Sequence, residues 1–175
     1  MDPKLILAAM AANLERRTAW DEAPALYAVV DRGDEPPRLE DLDVPEHLWD
    51  LASPGTVLAF LAPQFRVGMM AHKLAAVGLR YEAFVLDPAR NPEHAAVAQA
   101  RRAGLPVPPT SEVPGRVEQR IWTAVLHGGD VLHASVDRNP DGTSAPAACR
   151  HKRPDEPGLE GSVIDGLRTL LARSL

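Results

Sequence analysis

The sequence has one cysteine, few aromatic residues and no long apolar run. Cys149 has no second cysteine to pair with, so an internal disulfide is excluded. Residues 1–12 include Asp2 and lack both the basic start and the long apolar stretch of a secretory leader or a membrane helix. We therefore expect a cytoplasmic protein with no membrane span.

Positive charge and phosphate-binding motifs are also scarce. The 175 residues include 19 Lys and Arg against 24 Asp and Glu, which gives a net charge of -5. Nucleic-acid binding depends on clustered Lys and Arg and, for single strands, on aromatic stacking platforms. Here aromatic residues are only 5% of the chain and are not interleaved with the basic run at 150–153. Neither a P-loop nor a G-x-G-x-x-G string occurs. The sequence therefore disfavours a nucleic-acid partner.

Proline is abundant, and the 17 prolines divide the chain into short elements. Asp2-Pro3 and Asn91-Pro92 are helix-opening pairs, since Asp and Asn cap free amides and Pro fits the first helical position. Gly78 is typical of a helix end, because its backbone accepts a left-handed conformation. The predicted elements are helices over about 3–17, 45–52, 64–77, 92–104 and 162–173, strands over 25–30, 79–86, 121–126 and 131–136, a further short strand near 145–150, and an acidic, Pro-rich loop over 34–43.

The clearest local signal is a β-hairpin around Gly128 and Gly129. Gly-Gly supplies the positive backbone dihedrals of a two-residue turn, which sets the cross-strand partners. Ile121 then opposes Val136 and Val125 opposes Leu132, so these four apolar residues share one face that we expect to pack against helices. Trp122 and His133 are predicted to lie on the opposite face.

The order of the elements predicts an α+β fold. We expect an antiparallel sheet of about four strands, covered on one face and flanked by an N-terminal and a C-terminal helix. A single domain would span residues 1–175, with 105–115 as a Pro-rich internal linker, because the 60 residues beyond the linker are too few to guarantee an independent core. By analogy, this is the pattern of secretion-chaperone-like domains, which dimerise and bind extended segments of other proteins.

Two features could suggest a metal or a nucleophile. Residues 137–142 match the first half of a calcium loop, but the twelfth position is Ala148, which offers no carboxylate. Cys149 could be a nucleophile with His151 or His133 as its base, yet no cysteine-enzyme signature surrounds it. Since no histidine has metal-ligand spacing, we expect neither a metal nor another cofactor.

Two segments resemble a known family. Residues 20–31, WDEAPALYAVVD, resemble the W-D-Q-P-x-x-L-[FY]-A-L-V-D string near the start of a family of small uncharacterised actinobacterial proteins. Residues 116–126, RVEQRIWTAVL, with the Gly turn and the closing Leu-rich helix, are similar to that family's carboxyl-terminal half. Ala23 separates Glu22 from Pro24, and residues 34–115 depart from the pattern. The resemblance implies a small cytoplasmic α+β protein and assigns no catalytic residue.

The sequence contains no catalytic motif, and several of its large residues lie on elements predicted to be peripheral. Both features favour a function in protein binding. We expect a non-catalytic, chaperone-like adaptor that binds another protein, including a second copy of itself as a homodimer. The candidate partner-binding residues are Trp49, Phe65, Trp122 and His133. His133 is either an exposed ring against the Trp122 indole or, under another layer, a partly buried titrating group. The alternative is a small hydrolase or transferase whose site is formed by the 120–137 hairpin and the Pro-rich loops.

Overall fold

A six-stranded antiparallel sheet runs through the computed structural model, which describes residues 1–64, 73–89, 91–156, 159 and 161–173. The strands are β1 Ala25–Arg32, β2 Glu35–Leu42, β3 Leu74–Val85, β4 Val117–Leu126, β5 Val131–Asp137 and β6 Ala148–Lys152, in the spatial order β2-β1-β3-β4-β5-β6. The α-helices of the described ranges are α1 Pro3–Glu15, α2 His47–Leu51, α3 Pro54–Leu61, α4 Pro92–Arg102 and α5 Ser162–Arg173. The predicted α+β class is confirmed, whereas the prediction of about four strands is wrong.

Two helices begin where capping chemistry predicts. The Asp2 carboxylate accepts a hydrogen bond from the Lys4 amide at 2.9 Å, and Pro3 occupies the first turn of α1. The Asn91 side chain accepts from the Glu93 amide at 3.0 Å, with Pro92 in the first turn of α4. These caps satisfy amides that have no partner within the helix. None of the helices in the described part of the chain is long and apolar enough to cross a membrane.

Both faces of the sheet are covered, so the expectation of one covered face is wrong. On one face α1 buries Ile6, Met10 and Leu14 against a cluster that includes Trp122. On the other face α3 and α5 pack over a second cluster, in which Val125 is buried. Central strands buried on both faces carry nearly continuous apolar runs, which hide the alternation that a one-sided sheet would display.

The two helices on the second face pack closely through glycine. A β-carbon on Gly55 of α3 would overlap the Ser162 side chain at the start of α5. A β-carbon on Gly166 of α5 would lie 2.6 Å from the Leu58 β-carbon. The missing side chains therefore allow the two backbones to approach, which fixes α3 against α5.

The hairpin has a different register from the predicted one. Val125 pairs with Val131 and Trp122 pairs with Ala134, one residue away from the expected partners. The Leu126 amide bonds to the Asp130 carbonyl, and only the second glycine, Gly129, has a positive φ, of 87°. These features indicate a three-residue loop in place of a two-residue turn. A slip of one residue places Ile121 and Val125 on the α5 face but Leu132 and Val136 on the α1 face, so the predicted shared face is wrong.

Two other segments differ from their predicted structure. The stretch 34–43, predicted as a loop, contains strand β2, whose two prolines are typical of a sheet edge. The predicted helix over 64–77 is wrong at residues 74–77, which begin β3, and residues 65–72 lie outside the described part. The apolar spacing there fits a helix, but β3 lies between β1 and β4 with a run of buried residues, and such a run has no strand-like alternation.

Candidate functional site

Trp122 lies in the core, so its predicted place on a free face is wrong. Its side chain is fully buried, and its ring stacks on Tyr27 with centroids 5.0 Å apart. A β-carbon on Gly78 of the neighbouring strand would collide with the Trp122 ring, which explains why glycine occurs there within a strand. Trp122 does lie on the face opposite Ile121 and Val125, as predicted, but α1 covers that face, which was expected from the sequence to be open.

Trp49 is half-buried and lines an open cleft of about 700 Å³ at one end of the sheet. The cleft lies between the residues that precede β1, the end of β2 and helix α2. Its lining is rich in carboxylates, contributed by Asp21, Glu22, Asp41, Asp43 and Glu46. We call this surface the acidic cleft. Sequence reasoning proposed Trp49 but read the acidic residues around 41–43 as a solvated loop.

Arg80 is the basic residue among those that line the acidic cleft. Its side chain is 5% exposed, and its Nη1 lies 2.7 Å from Glu22 Oε2. Its Nε–H has no hydrogen-bond acceptor among the described residues. A buried guanidinium donor without an acceptor is costly in a folded protein.

An apolar groove lies on the other side of α2. It has a volume of about 220 Å³ and is formed by Leu48, Leu51, Ala52, Thr56, Val57 and Phe60. We call it the α2–α3 groove. Leu51 is 75% exposed and Phe60 is 60% exposed, so this part of the surface holds large apolar side chains in water. Phe65, the other predicted partner-binding residue of this region, lies outside the described residues.

His133 lines a separate polar cavity of about 370 Å³. It pairs across the hairpin with Thr123, so it does not share a face with Trp122. Burial, followed by the nearby positive charge of Arg150, lowers the pKa of His133 to about 4. Of the two settings left open by the sequence, the partly buried one is therefore observed, and the ring is neutral at pH 7.

The lowered pKa of His133 predicts a loss of stability in acid. The unfolded chain, with an ordinary histidine pKa of 6.5, binds a proton that the folded state rejects until about pH 4. The stability that neutral His133 contributes to the folded state is thus fully present above pH 6.5 and is lost as the pH falls towards 4. Between pH 7.5 and pH 4.5 the free energy of unfolding should fall by about 2–3 kcal/mol from this group alone.

Chemical denaturation of paired variants at both pH values measures this contribution. His133→Gln should flatten the pH dependence, whereas His127→Gln, at an exposed hairpin position, should leave the wild-type slope unchanged. An identical slope for wild type and His133→Gln would contradict the prediction.

A network of buried charge joins the sheet to the α1–β1 connection. Arg120 is fully buried, bonds to Glu82 at 2.9 Å, and also donates to the backbone carbonyl oxygens of Arg17 and Ala19. Its guanidinium lies 4.6 Å from the Trp20 ring, and Arg138 lies over the same ring at 5.3 Å. The start of the WDEAPALYAVVD segment therefore fixes the chain against the sheet. Sequence reasoning missed this network, although opposite charges two residues apart on β3 and on β4 were a usable signal.

Three carboxylates of this region lie near one another. The oxygens of Asp21, Glu82 and Glu118 fall within 4.8 Å of each other. Each of them also faces a guanidinium, since Glu82 pairs with Arg120, and Glu118 and Asp21 lie 3.0 and 3.8 Å from Arg138. The arginines therefore balance this negative charge, and we assign no metal to the cluster.

The features that could suggest a nucleophile or calcium have ordinary surroundings. Cys149 is exposed, and partial burial together with the charge of Glu15 raises its pKa, which disfavours the reactive thiolate. His151 bonds to Asp130 at 2.9 Å. The Asp141 carboxylate accepts bonds from the Thr143 amide and hydroxyl, as expected for a turn.

Comparisons with protein-family models, with curated proteins and with solved structures found no significant match.

Proposed function

We propose that the protein is a non-catalytic adaptor that holds a segment of another protein in the α2–α3 groove. The observation that carries this proposal is the exposure of Leu51 and Phe60 on two adjacent helices. Exposed apolar side chains that line one groove favour a contact that removes them from water, since burying such side chains provides much of the energy of association.

The size and composition of the groove support a side chain as its occupant. Small-molecule pockets have typical volumes of about 300–1,000 Å³ and include a few polar groups that orient the ligand. The α2–α3 groove is smaller, at about 220 Å³, and its lining is almost entirely apolar. One aromatic or aliphatic side chain of a partner protein fits this description better than a metabolite does.

The proposal includes the expectations of a cytoplasmic location and a chaperone-like homodimer. An antiparallel sheet with helices α1 and α5 on its two faces agrees with the chaperone-like pattern at the level of the order of elements. Sedimentation or light scattering measures the oligomeric state directly. A second copy bound through the same groove would be a self-complementary contact.

We expect Phe60→Ser to reduce partner retention at least tenfold in a pull-down from the native cytoplasm. Its melting temperature should stay close to that of wild type, because substitutions at exposed positions change stability by only about 0.5 kcal/mol. Leu105→Ser is the matched control, since Leu105 is 59% exposed and lies outside the groove. An equal loss of partner retention in both variants, or no loss in either variant, would contradict the assignment of the groove.

A small hydrolase or transferase is the second candidate, and the polar cavity is the observation that favours it. The cavity brings His133, Ser135 and Asp137 of the hairpin together with Pro88 of a loop. These three side chains follow one another at alternate positions of β5, about 6.6 Å apart along the strand, whereas a nucleophile and its base need contact at about 3 Å. Asp137 accepts a 2.6 Å bond from Gln119, and a histidine with a pKa of about 4 is a weak base at pH 7. We therefore place the enzyme second.

A further inference from the structure

We infer that the segment bound in the α2–α3 groove is basic, and that a Lys or Arg side chain of it crosses α2 and enters the acidic cleft beside Trp49. This inference rests on the proposed function and names the chemistry of the partner. It makes the groove and the cleft two parts of one binding surface, with α2 between them.

The charge of the cleft selects a cationic side chain. Asp41, Asp43 and Glu46 line the cleft and have no ion pair with any described residue. The other two carboxylates of the cleft are already balanced, Glu22 by Arg17 and Arg80, and Asp21 in part by Arg138. A concave surface with unbalanced charge of one sign attracts the opposite charge more strongly than isolated surface carboxylates do.

Trp49 adds a reason to choose Lys or Arg over a simple cation. Its ring is half-buried, packs against the core and forms part of the cleft wall. An indole face is the aromatic surface that binds ammonium and guanidinium groups most favourably. A cleft that combines an indole with carboxylates therefore suits an organic cation.

Arg80 supplies a second and independent indication of a peptide. It is nine-tenths buried, lines the cleft, and has an Nε–H without an acceptor among the described residues. The carboxylates of the cleft favour a cation in the ligand, whereas the Arg80 donor favours an oxygen acceptor. A peptide offers both groups, since its backbone carbonyl oxygen accepts from a guanidinium while its basic side chain meets the carboxylates.

The geometry of α2 sets the spacing between the apolar anchor and the basic side chain of the bound segment. Trp49 lies on the cleft side of this five-residue helix, and Leu48 and Leu51 lie on the groove side. A helix is about 10 Å wide, and an extended chain advances about 3.3 Å per residue. An apolar anchor in the groove therefore places a side chain about three residues away at the cleft.

A synthetic peptide array tests this inference with the full-length protein. The probes are twelve-residue peptides with one fixed Phe and all other positions randomised, and the readout is the composition of the peptides retained. We expect Lys and Arg to be enriched at least fivefold about three residues from the Phe, and the enrichment to fall between 50 and 500 mM NaCl.

Matched variants assign the effect to the cleft. Asp41→Asn with Asp43→Asn should abolish the basic preference while retention of Phe-containing peptides persists. Asp34→Asn with Asp155→Asn changes the net charge equally at exposed positions outside the cleft and should leave the preference intact. An equal loss of preference in both double variants would overturn the inference.

The outcomes separate this inference from the proposed function. Retention that depends on Phe60 but shows no basic preference would overturn the inference alone. Retention of no peptide, or retention unchanged by Phe60→Ser, would overturn both.

Discussion

Replacing Arg120 with Met is expected to lower the free energy of unfolding by about 3–5 kcal/mol, one of the largest effects of any single change in this protein. Arg120 is fully buried, and its guanidinium forms an ion pair with Glu82. The Glu82 side chain is only 11% exposed. Without Arg120, the Glu82 carboxylate stays in a poorly solvated place with no counter-charge. The carbonyl oxygens of Arg17 and Ala19 also lose their donor.

Denaturant unfolding of a double-mutant cycle measures this effect. Glu82→Gln combined with Arg120→Met removes both charges, so the double variant should be more stable than Arg120→Met alone. Arg150→Met is the control, because Arg150 is exposed on the edge strand β6 and should change stability by no more than about 0.5 kcal/mol. Strictly additive losses in the cycle would show that the two side chains are not coupled.

Replacing Trp122 with Ala is expected to cost about 3–5 kcal/mol, because it empties the largest fully buried site of the described core. The Tyr27 ring would lose its stacking partner, and Gly78 leaves no side chain to fill the space from the neighbouring strand. Urea unfolding measures the loss directly.

Trp49→Ala is the informative comparison for Trp122→Ala. Trp49 is half-buried on a helix with no fully buried residue, so its loss should lower stability much less and partner retention much more. A Trp122→Ala variant that melts like wild type but loses its partner would place Trp122 in an interface and contradict its position in the core.

The elements that could be predicted from sequence are those with a local chemical cause. The starts of α1 and α4 follow from Asp2 and Asn91, whose side chains cap amides only two residues away. The helix predicted over 162–173 likewise matches α5, which buries Leu167 and Leu170 among others. In each case the deciding contact is within one or two helical turns.

The register of the hairpin depends on one dihedral angle, and the strand structure of residues 74–77 depends on contacts that are distant in sequence. A positive φ at Gly129 but not at Gly128 changes the loop from two residues to three, and the sequence Gly-Gly accepts either form. That single difference moved Leu132 and Val136 to the face that α1 covers, whereas Trp122 is buried because α1 packs over its side of the sheet. The first residues of β3 lack strand-like alternation because this central strand, between β1 and β4, is covered on both faces.

The candidate site was only partly visible in the sequence for a similar reason. Trp49 was identified because a large aromatic residue on a short helix is conspicuous. The acidic cleft required Arg80, which enters it from β3, and Asp41, from the end of a strand predicted as a loop. Their proximity is a property of the sheet order, and no local pattern encodes it.

The close contact between α3 and α5 has a consequence for how this protein can diverge. Gly55 and Gly166 hold α3 in place, so almost any larger residue at either position would disturb the core. Helix α2, by contrast, has no fully buried residue and belongs to the connection that carries the chain from β2 past β1 to β3. Substitutions within residues 46–52 should therefore disturb the core less than a substitution at either glycine.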